Sequence, residues 1–227
     1  MLFRSTYILS EMAASHLKVT LTGDGGDELF AGYKKYFSLM ENDAHSYSYF
    51  KDISLFHRGP ALKDFCTEYF KSQIDERHPF QFYSDQLSQV SEMDSVNKAL
   101  YFDTKQLLPG NNLVKPDKMA MAHSLETRSP FLDYRLFEYM FTVPGHLKLR
   151  EKETKYILKK LAKKYLPDDL IYRKKQMFTV PVGEWFKRNL KSYLVGTLNS
   201  DLFKSRNFFD QKMVQYMLDM HLNDKQD

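Results

Sequence analysis

The sequence predicts an α/β protein that is predominantly helical, and three observations carry that prediction. An early β-branched run, "KVTLT" at residues 18–22, reads as a strand. A turn of three glycines and two aspartates, "GDGGD", follows it and leads into an amphipathic stretch, so a helix–strand–turn–helix unit opens the chain. Beyond that unit, apolar residues recur at the spacing of one helix face rather than in the alternation of strands.

The elements follow in order. In "MLFRSTYILSEMAASHLKV" the spacing of Ile8, Met12 and Ser15 gives an amphipathic helix. In the strand, Val19 and Leu21 are the expected buried positions. The stretch "ENDAHSYSYFKDISLFHRGP" alternates polar and aromatic residues and takes no assignment. Leu62, Phe65, Cys66, Tyr69 and Phe70 fit one buried helix face, with Cys66 as packing. Leu136, Phe137, Met140 and Phe141 form a core stripe behind an Asp133 cap. Ile157, Leu158, Leu161, Ala162 and Tyr165 repeat the pattern, with Thr154 as N-cap and Pro167 just past the end. Met213, Val214, Met217 and Leu218 do so again behind Asp210. Residues 1–35 thus form the strand-bearing unit and residues 60–227 a helical remainder.

Composition bounds the function. Of 227 residues 43% are hydrophobic, ample for a core, and the net charge of +4 is spread among acidic residues rather than gathered in a nucleic-acid-binding run. One cysteine excludes an internal disulfide framework and a cysteine-rich zinc site. The opening residues lack the long apolar segment of a signal peptide or membrane span. A soluble cytoplasmic protein is the expectation, with no membrane or nucleic-acid partner.

Three segments carry chemistry. In "VTLTGDGGDELFAGY" a glycine turn at the start of a helix suits anions, yet Asp24, Asp27 and Glu28 line it with negative charge. One reading is a tight turn whose acids complement the helix start. The other is a cradle for a metal–phosphate complex, because a hard cation such as Mg²⁺ binds carboxylate and phosphate oxygens together. No Gly-Lys-Ser/Thr follows, as a Walker loop requires, and the alternating ligands of an EF-hand are absent. In "LPGNNLVKPDKMAMAHSLETRSPFLDYRLFEYM" the simplest reading of Glu126 and Arg128 is a structural ion pair near the turn at Pro130. In "YRKKQMFTVPVGEWF" a basic run meets an apolar turn. It is either a solvated loop or a place where a lysine stabilises developing negative charge. The seven histidines show no paired metal-ligand spacing.

In this order the three segments resemble the later part of the synthetase domain of glutamine-dependent asparagine synthetases, over essentially the whole chain. The resemblance implies a partial adenine-nucleotide-α-hydrolase-like fold, that of pyrophosphate-loop ATPases. It also implies ATP-dependent amidation of aspartate through a β-aspartyl-adenylate, with ATP and Mg²⁺ required and ammonia coming from glutamine. Carried over by position, Thr22 and Gly23 contact the nucleotide, and Gly25 and Gly26 offer backbone amides beside them. Asp24 acts in forming and using the adenylate, and Asp27 ligates Mg²⁺. Lys175 stabilises charge at the adenylated centre, while Glu28, Glu126, Arg128 and Asp133 support the pocket. Asn111 and Asn112 depart from the acidic character of many relatives near there, so the resemblance assigns no catalytic acid to this loop. The family's Ser-Gly-Gly-x-Asp-Ser pyrophosphate loop and its glutaminase domain have no counterpart in these 227 residues. The expectation is a fragment, inactive alone, that needs both in cis or in trans; a homodimer is compatible with it. Two alternatives stand beside this reading: amidation of a sugar acid or peptide carboxylate, and a non-catalytic remnant kept for its helical surface.

Overall fold

The computed structural model describes residues 2–41, 43–46, 49–50, 62–73, 79–174 and 181–223. They fall into two compact units, Met1–Ile53 with Pro79–Phe178, and Ser54–His78 with Thr179–Asp227.

In the first unit, helix α1 (Leu2–Ala14) leads into strand β1 (Val19–Leu21). The glycine turn follows, then a single helical turn, α2 (Gly26–Leu29), and a 3₁₀ segment, Lys34–Met40. Helix α3 (Pro79–Ser88) precedes α4 (Ser95–Phe102), which Asp94 caps by accepting from the Asn97 N–H. The helix continues as a π-helical stretch, Asp103–Leu113, into α5 (Val114–Met121). Pro109, which has no N–H for the usual ladder, sits inside that widened stretch. Strand β2 (Glu126–Arg128) then pairs with β1 in parallel, Val19 opposite Glu126, Thr20 opposite Thr127 and Leu21 opposite Arg128. Helices α6 (Tyr134–Thr142) and α7 (Tyr156–Ala162) follow, and then a helical turn, Asp168–Ile171.

Two apolar clusters hold this unit. Tyr36, Tyr49, Tyr83, Leu87 and Leu100 centre the first. Leu29, Phe30 and Met140 centre the second, with Phe131, Leu136, Phe137, Ile157 and Leu158 against them. The second cluster fixes the site: the two residues that close the glycine turn are anchored beneath α6 and α7. Asp133 caps α6 as expected, accepting from the Arg135 N–H at 2.9 Å, and the Arg135 guanidinium helps pull its carboxyl down to about 2.

Several expectations need correction. Val19 and Leu21 are 41% and 70% exposed, not buried. Alternation identifies residues that share a face; it does not say whether that face is covered. β2 was not legible as a strand because its three residues, Glu-Thr-Arg, have little apolar or β-branched content. On α1, Ile8 and Met12 are exposed whereas Ser10 is buried, since the helix packs on α5 through a different face. Thr154 does not cap α7; Lys155 holds that position in a left-handed conformation, with no side-chain cap.

In the second unit the single helix expected across residues 62–70 is two, Leu62–Phe65 and Glu68–Gln73. Thr67 breaks it: its hydroxyl donates to the Asn207 carbonyl at 2.6 Å and accepts from the Phe70 N–H. Cys66 is buried, bridged in antiparallel fashion to Phe209 rather than placed on a helix. Trp185 lies on a helix, Val182–Lys187. The last helix, Gln211–Leu222, starts at Asp210, which accepts from the N–H groups of Lys212 and Met213. No described helix is long and apolar enough to cross a membrane.

Candidate active site

The glycine turn begins where β1 ends. The Thr22 N–H donates to the Arg128 carbonyl at 2.8 Å and extends the parallel ladder by one step. The Gly26 N–H then donates to the Gly23 carbonyl and the Leu29 N–H to the Gly25 carbonyl, which rolls the chain into α2. Gly25 has φ +84°, a left-handed conformation costly for other residues. Space demands glycine there too: a Cβ would lie 2.2 Å from Leu132 Cδ2, and at Gly26 one would meet the Phe131 ring at 3.1 Å. The "SPFLD" segment is thus the wall against which the acidic turn is moulded.

Two of the three acids accept hydrogen bonds and the third pairs with an ammonium. Asp24 Oδ2 accepts from the Thr22 hydroxyl at 2.8 Å, and Thr22 Oγ1 lies 2.6 Å from Ser129 Oγ. Glu28, only 2% exposed, accepts from Tyr33 Oη at 2.6 Å and from the Asn112 amide at 2.7 Å. Burial, then the Glu28 hydrogen bond and charge, pushes the Tyr33 phenol far above its ordinary value, so it stays a proton donor. Asp27 Oδ1 pairs with Lys155 Nζ at 2.8 Å. Three negative charges in one turn are tolerated because neighbours compensate each of them.

These groups line a cleft of about 710 Å³ within the first unit. Thr22, Gly23, Asp24, Gly25, Asp27 and Glu28 form one side; Thr20 and Thr127 from the strands, Ser10 from α1, Asn112 and Lys115 also line it, beside apolar residues such as Leu9, Leu108 and Leu125. The size suits a small organic ligand. Its oxygen-rich acidic wall suits a hard cation held by one or two carboxylates together with ligand oxygens. A cage made by protein alone is not present among the described residues, where no group of three His, Cys, Asp or Glu converges.

The expected site residues divide into those the structure gathers and those it does not. Thr22, Gly23, Asp24, Gly25, Asp27 and Glu28 share the cleft. Gly26 is buried behind them, against Phe131. Glu126 and Arg128 form an exposed ion pair at 2.7 Å and do not line the cleft. Asp133 caps α6. Lys175, the expected stabiliser of the adenylated centre, lies outside the described residues. Tyr33, Lys115 and Lys155 escaped sequence reasoning. Tyr33 ends the quoted glycine segment and could have been noticed as a donor near Glu28. Lys155 carries no local signal at all.

The chain matches the family model described as "Asparagine synthase" over residues 3–227. It is 29% identical to the asparagine synthetase [glutamine-hydrolyzing] 1 of Bacillus subtilis, over 97% of this chain and 39% of that protein. It is 27% identical to a putative asparagine synthetase [glutamine-hydrolyzing] of Mycobacterium tuberculosis, over 95% of this chain and 37% of that one. Similarity extends to the amidase chyE of Penicillium rubens, 26% identical over 89% of this chain and 38% of the relative. The chain therefore spans less than two fifths of the length of these curated relatives.

Proposed function

The chain belongs to the asparagine synthase family, and from that premise we propose that its cleft is part of a site for ATP-dependent amidation of aspartate. In this reading the aspartate β-carboxylate attacks the α-phosphorus of ATP, pyrophosphate leaves, and a β-aspartyl-adenylate forms. Ammonia, released from glutamine elsewhere in the assembly, then attacks the acyl carbon, and AMP departs as asparagine forms. The observation that carries the reading is the acidic turn at the carboxyl end of β1, where ligands of parallel sheets bind, facing a cleft of ligand size.

The residues take roles that their surroundings support. Thr22 and Gly23, at the strand end, contact the nucleotide. Asp24, oriented by Thr22, acts at the adenylate. Asp27 would hold Mg²⁺, and the ammonium already seated on its Oδ1 supports that fit, because the oxygen is aimed where a cation can sit. Such an ion would neutralise the pyrophosphate and stabilise its departure. Glu28, fixed by Tyr33 and Asn112, buttresses the turn. Lys175 is assigned by resemblance to the acyl-phosphate oxygens, where negative charge develops.

A second reading, amidation of a different carboxylate, is favoured by Asn112. Its neutral amide stands in the cleft and bonds Glu28, where the family resemblance implies acidic character. One experiment separates the two. Residues 1–227 replace the matching segment of the Bacillus subtilis relative, and exchange of labelled pyrophosphate into ATP is measured with aspartate and with other carboxylates. The first reading requires aspartate-dependent exchange that Asp24→Asn abolishes. Exchange driven only by another acid would establish the second, and no exchange with any carboxylate would refute both.

A further inference from the structure

The three acids of the turn are compensated differently. Asp24 and Glu28 meet neutral donors, whereas Asp27 meets a full positive charge. The pair is half-sheltered, Lys155 being 32% exposed at its side chain and Asp27 21%.

The contact is built into the backbone. Lys155 has φ 56° and ψ 34°, a conformation that non-glycine residues adopt at a cost of about 1 kcal/mol or more. Its N–H donates to the Phe30 carbonyl at 3.1 Å, which ties the start of α7 to the end of the acidic turn. On the other side Ala31 is also left-handed, at φ 54°. Gly32 lies between: a Cβ there would sit 1.9 Å from Asp27 Oδ1 and 2.4 Å from Lys155 Cε. Two costly conformations and one obligatory glycine bring this ammonium to this oxygen.

We infer that Lys155 is a surrogate cation: it occupies Asp27 Oδ1 while no divalent ion is bound and yields that oxygen when one arrives. It is a positioning residue that sets how tightly the turn takes a metal. An ammonium and a divalent cation cannot share one carboxylate oxygen without strong repulsion, so metal binding requires the pair to open. Apparent affinity is then the intrinsic affinity reduced by the fraction of molecules with the pair open. If the closed pair outnumbers the open one by about ten to one, apparent affinity falls about tenfold, or about 1.4 kcal/mol. The inference rests on the proposed function for the identity of the physiological metal, but its test does not.

The test uses Mn²⁺ alone, without nucleotide, added to the full chain and followed by the electron paramagnetic resonance signal of the free ion. Lys155→Met should bind Mn²⁺ about tenfold more tightly than wild type. Lys155→Arg, which restores the charge, should return toward wild type, and Asp27→Asn should bind more weakly. In the Asp27→Asn background, Lys155→Met should gain nothing. Lys155→Gly removes the same ammonium while relieving the left-handed backbone, so the prediction stands even where the Met variant does not fold. Unchanged or weaker Mn²⁺ binding in a folded Met or Gly variant overturns the inference, as does a gain that persists without Asp27. Failure of the amidation reading looks different: the chimera then lacks aspartate-dependent exchange while the Mn²⁺ responses hold.

Discussion

Raising the pH from 7.5 to 9.5 should stabilise the first unit by about 2 kcal/mol, and Lys148 is the reason. Its side chain is fully buried, with Nζ donating to Asn97 Oδ1 at 2.7 Å and lying 5.0 Å from the centre of the Phe141 ring. The Asn97 amide in turn donates to Asp94 and to the Val143 carbonyl, and Asp94 also accepts the Gly145 N–H. Burial lowers Lys148 to about 8, the nearby Asp94 charge only partly opposing it. The unfolded chain then binds more protons than the folded one between about pH 8 and 10.5, so stability rises with pH across that window. Each tenfold change in proton affinity is worth about 1.36 kcal/mol, so the buried charge costs about 3 kcal/mol at pH 7.5 and about half that at pH 9.5. Above pH 10 the buried Tyr36 and Tyr83, both raised by burial, act in the opposite sense: their stabilisation is complete below pH 10 and lost above it. The titration therefore ends at pH 9.5. Urea unfolding followed by circular dichroism measures it; Trp185 fluorescence reports the second unit and cannot serve. Lys148→Met should flatten the slope. An unchanged slope in that variant, or stability that falls between pH 7.5 and 9.5, would refute the reasoning.

Other perturbations act on the site itself. Asn112→Asp would set a second carboxylate against buried Glu28; it should cost about 1–3 kcal/mol at pH 7 and recover as the pH falls toward 5, read from melting curves. Tyr33→Phe removes a charge-assisted hydrogen bond from the same carboxylate and should cost about 1.5–3 kcal/mol; a change within about 0.5 kcal/mol in urea titrations would contradict the network. Gly25→Ala combines positive φ with a Cβ 2.2 Å from Leu132, and about 2–4 kcal/mol of destabilisation is expected by calorimetry, whereas Gly23→Ala, with open space around it, should be tolerated.

What could be read from the sequence was what lies close together along it. The Asp133 and Asp210 caps and the α6 stripe depend on residues within two turns of one another, and the structure agrees. The glycine turn was legible for the same reason. The errors arose where a distant partner decides the outcome: Thr67 breaks a helix by bonding Asn207, and Lys155 displaces Thr154 from a cap by reaching Asp27. β2 exists because β1 pairs with it; its own residues scarcely favour a strand.

The same distinction separates what the sequence raised about the site from what it could answer. Its puzzle was an anion-favouring turn lined with acids, and a metal–phosphate complex is the reading that charge alone proposes for it. The structure adds that the protein's own groups compensate the turn: a threonine, a tyrosine, an amide and a lysine meet the three carboxylates. Compensation by neutral donors and by a cation have different consequences. Neutral hydrogen bonds fix Asp24 and Glu28 without reversing their charge, so those acids stay attractive to cations whatever else binds. A lysine on Asp27 makes that position switchable, since one positive charge can be exchanged for another. A turn with three neutral partners would carry its full negative charge at all times and repel the free nucleotide phosphates it is proposed to receive. On the proposed reading, Lys155 cancels one of the three charges until a metal takes over and lets polyphosphate approach before its cation is seated. If Lys155→Met leaves the salt dependence of nucleotide binding to the chimera unaltered, that last step is wrong; a weaker and more salt-sensitive interaction is the expected result.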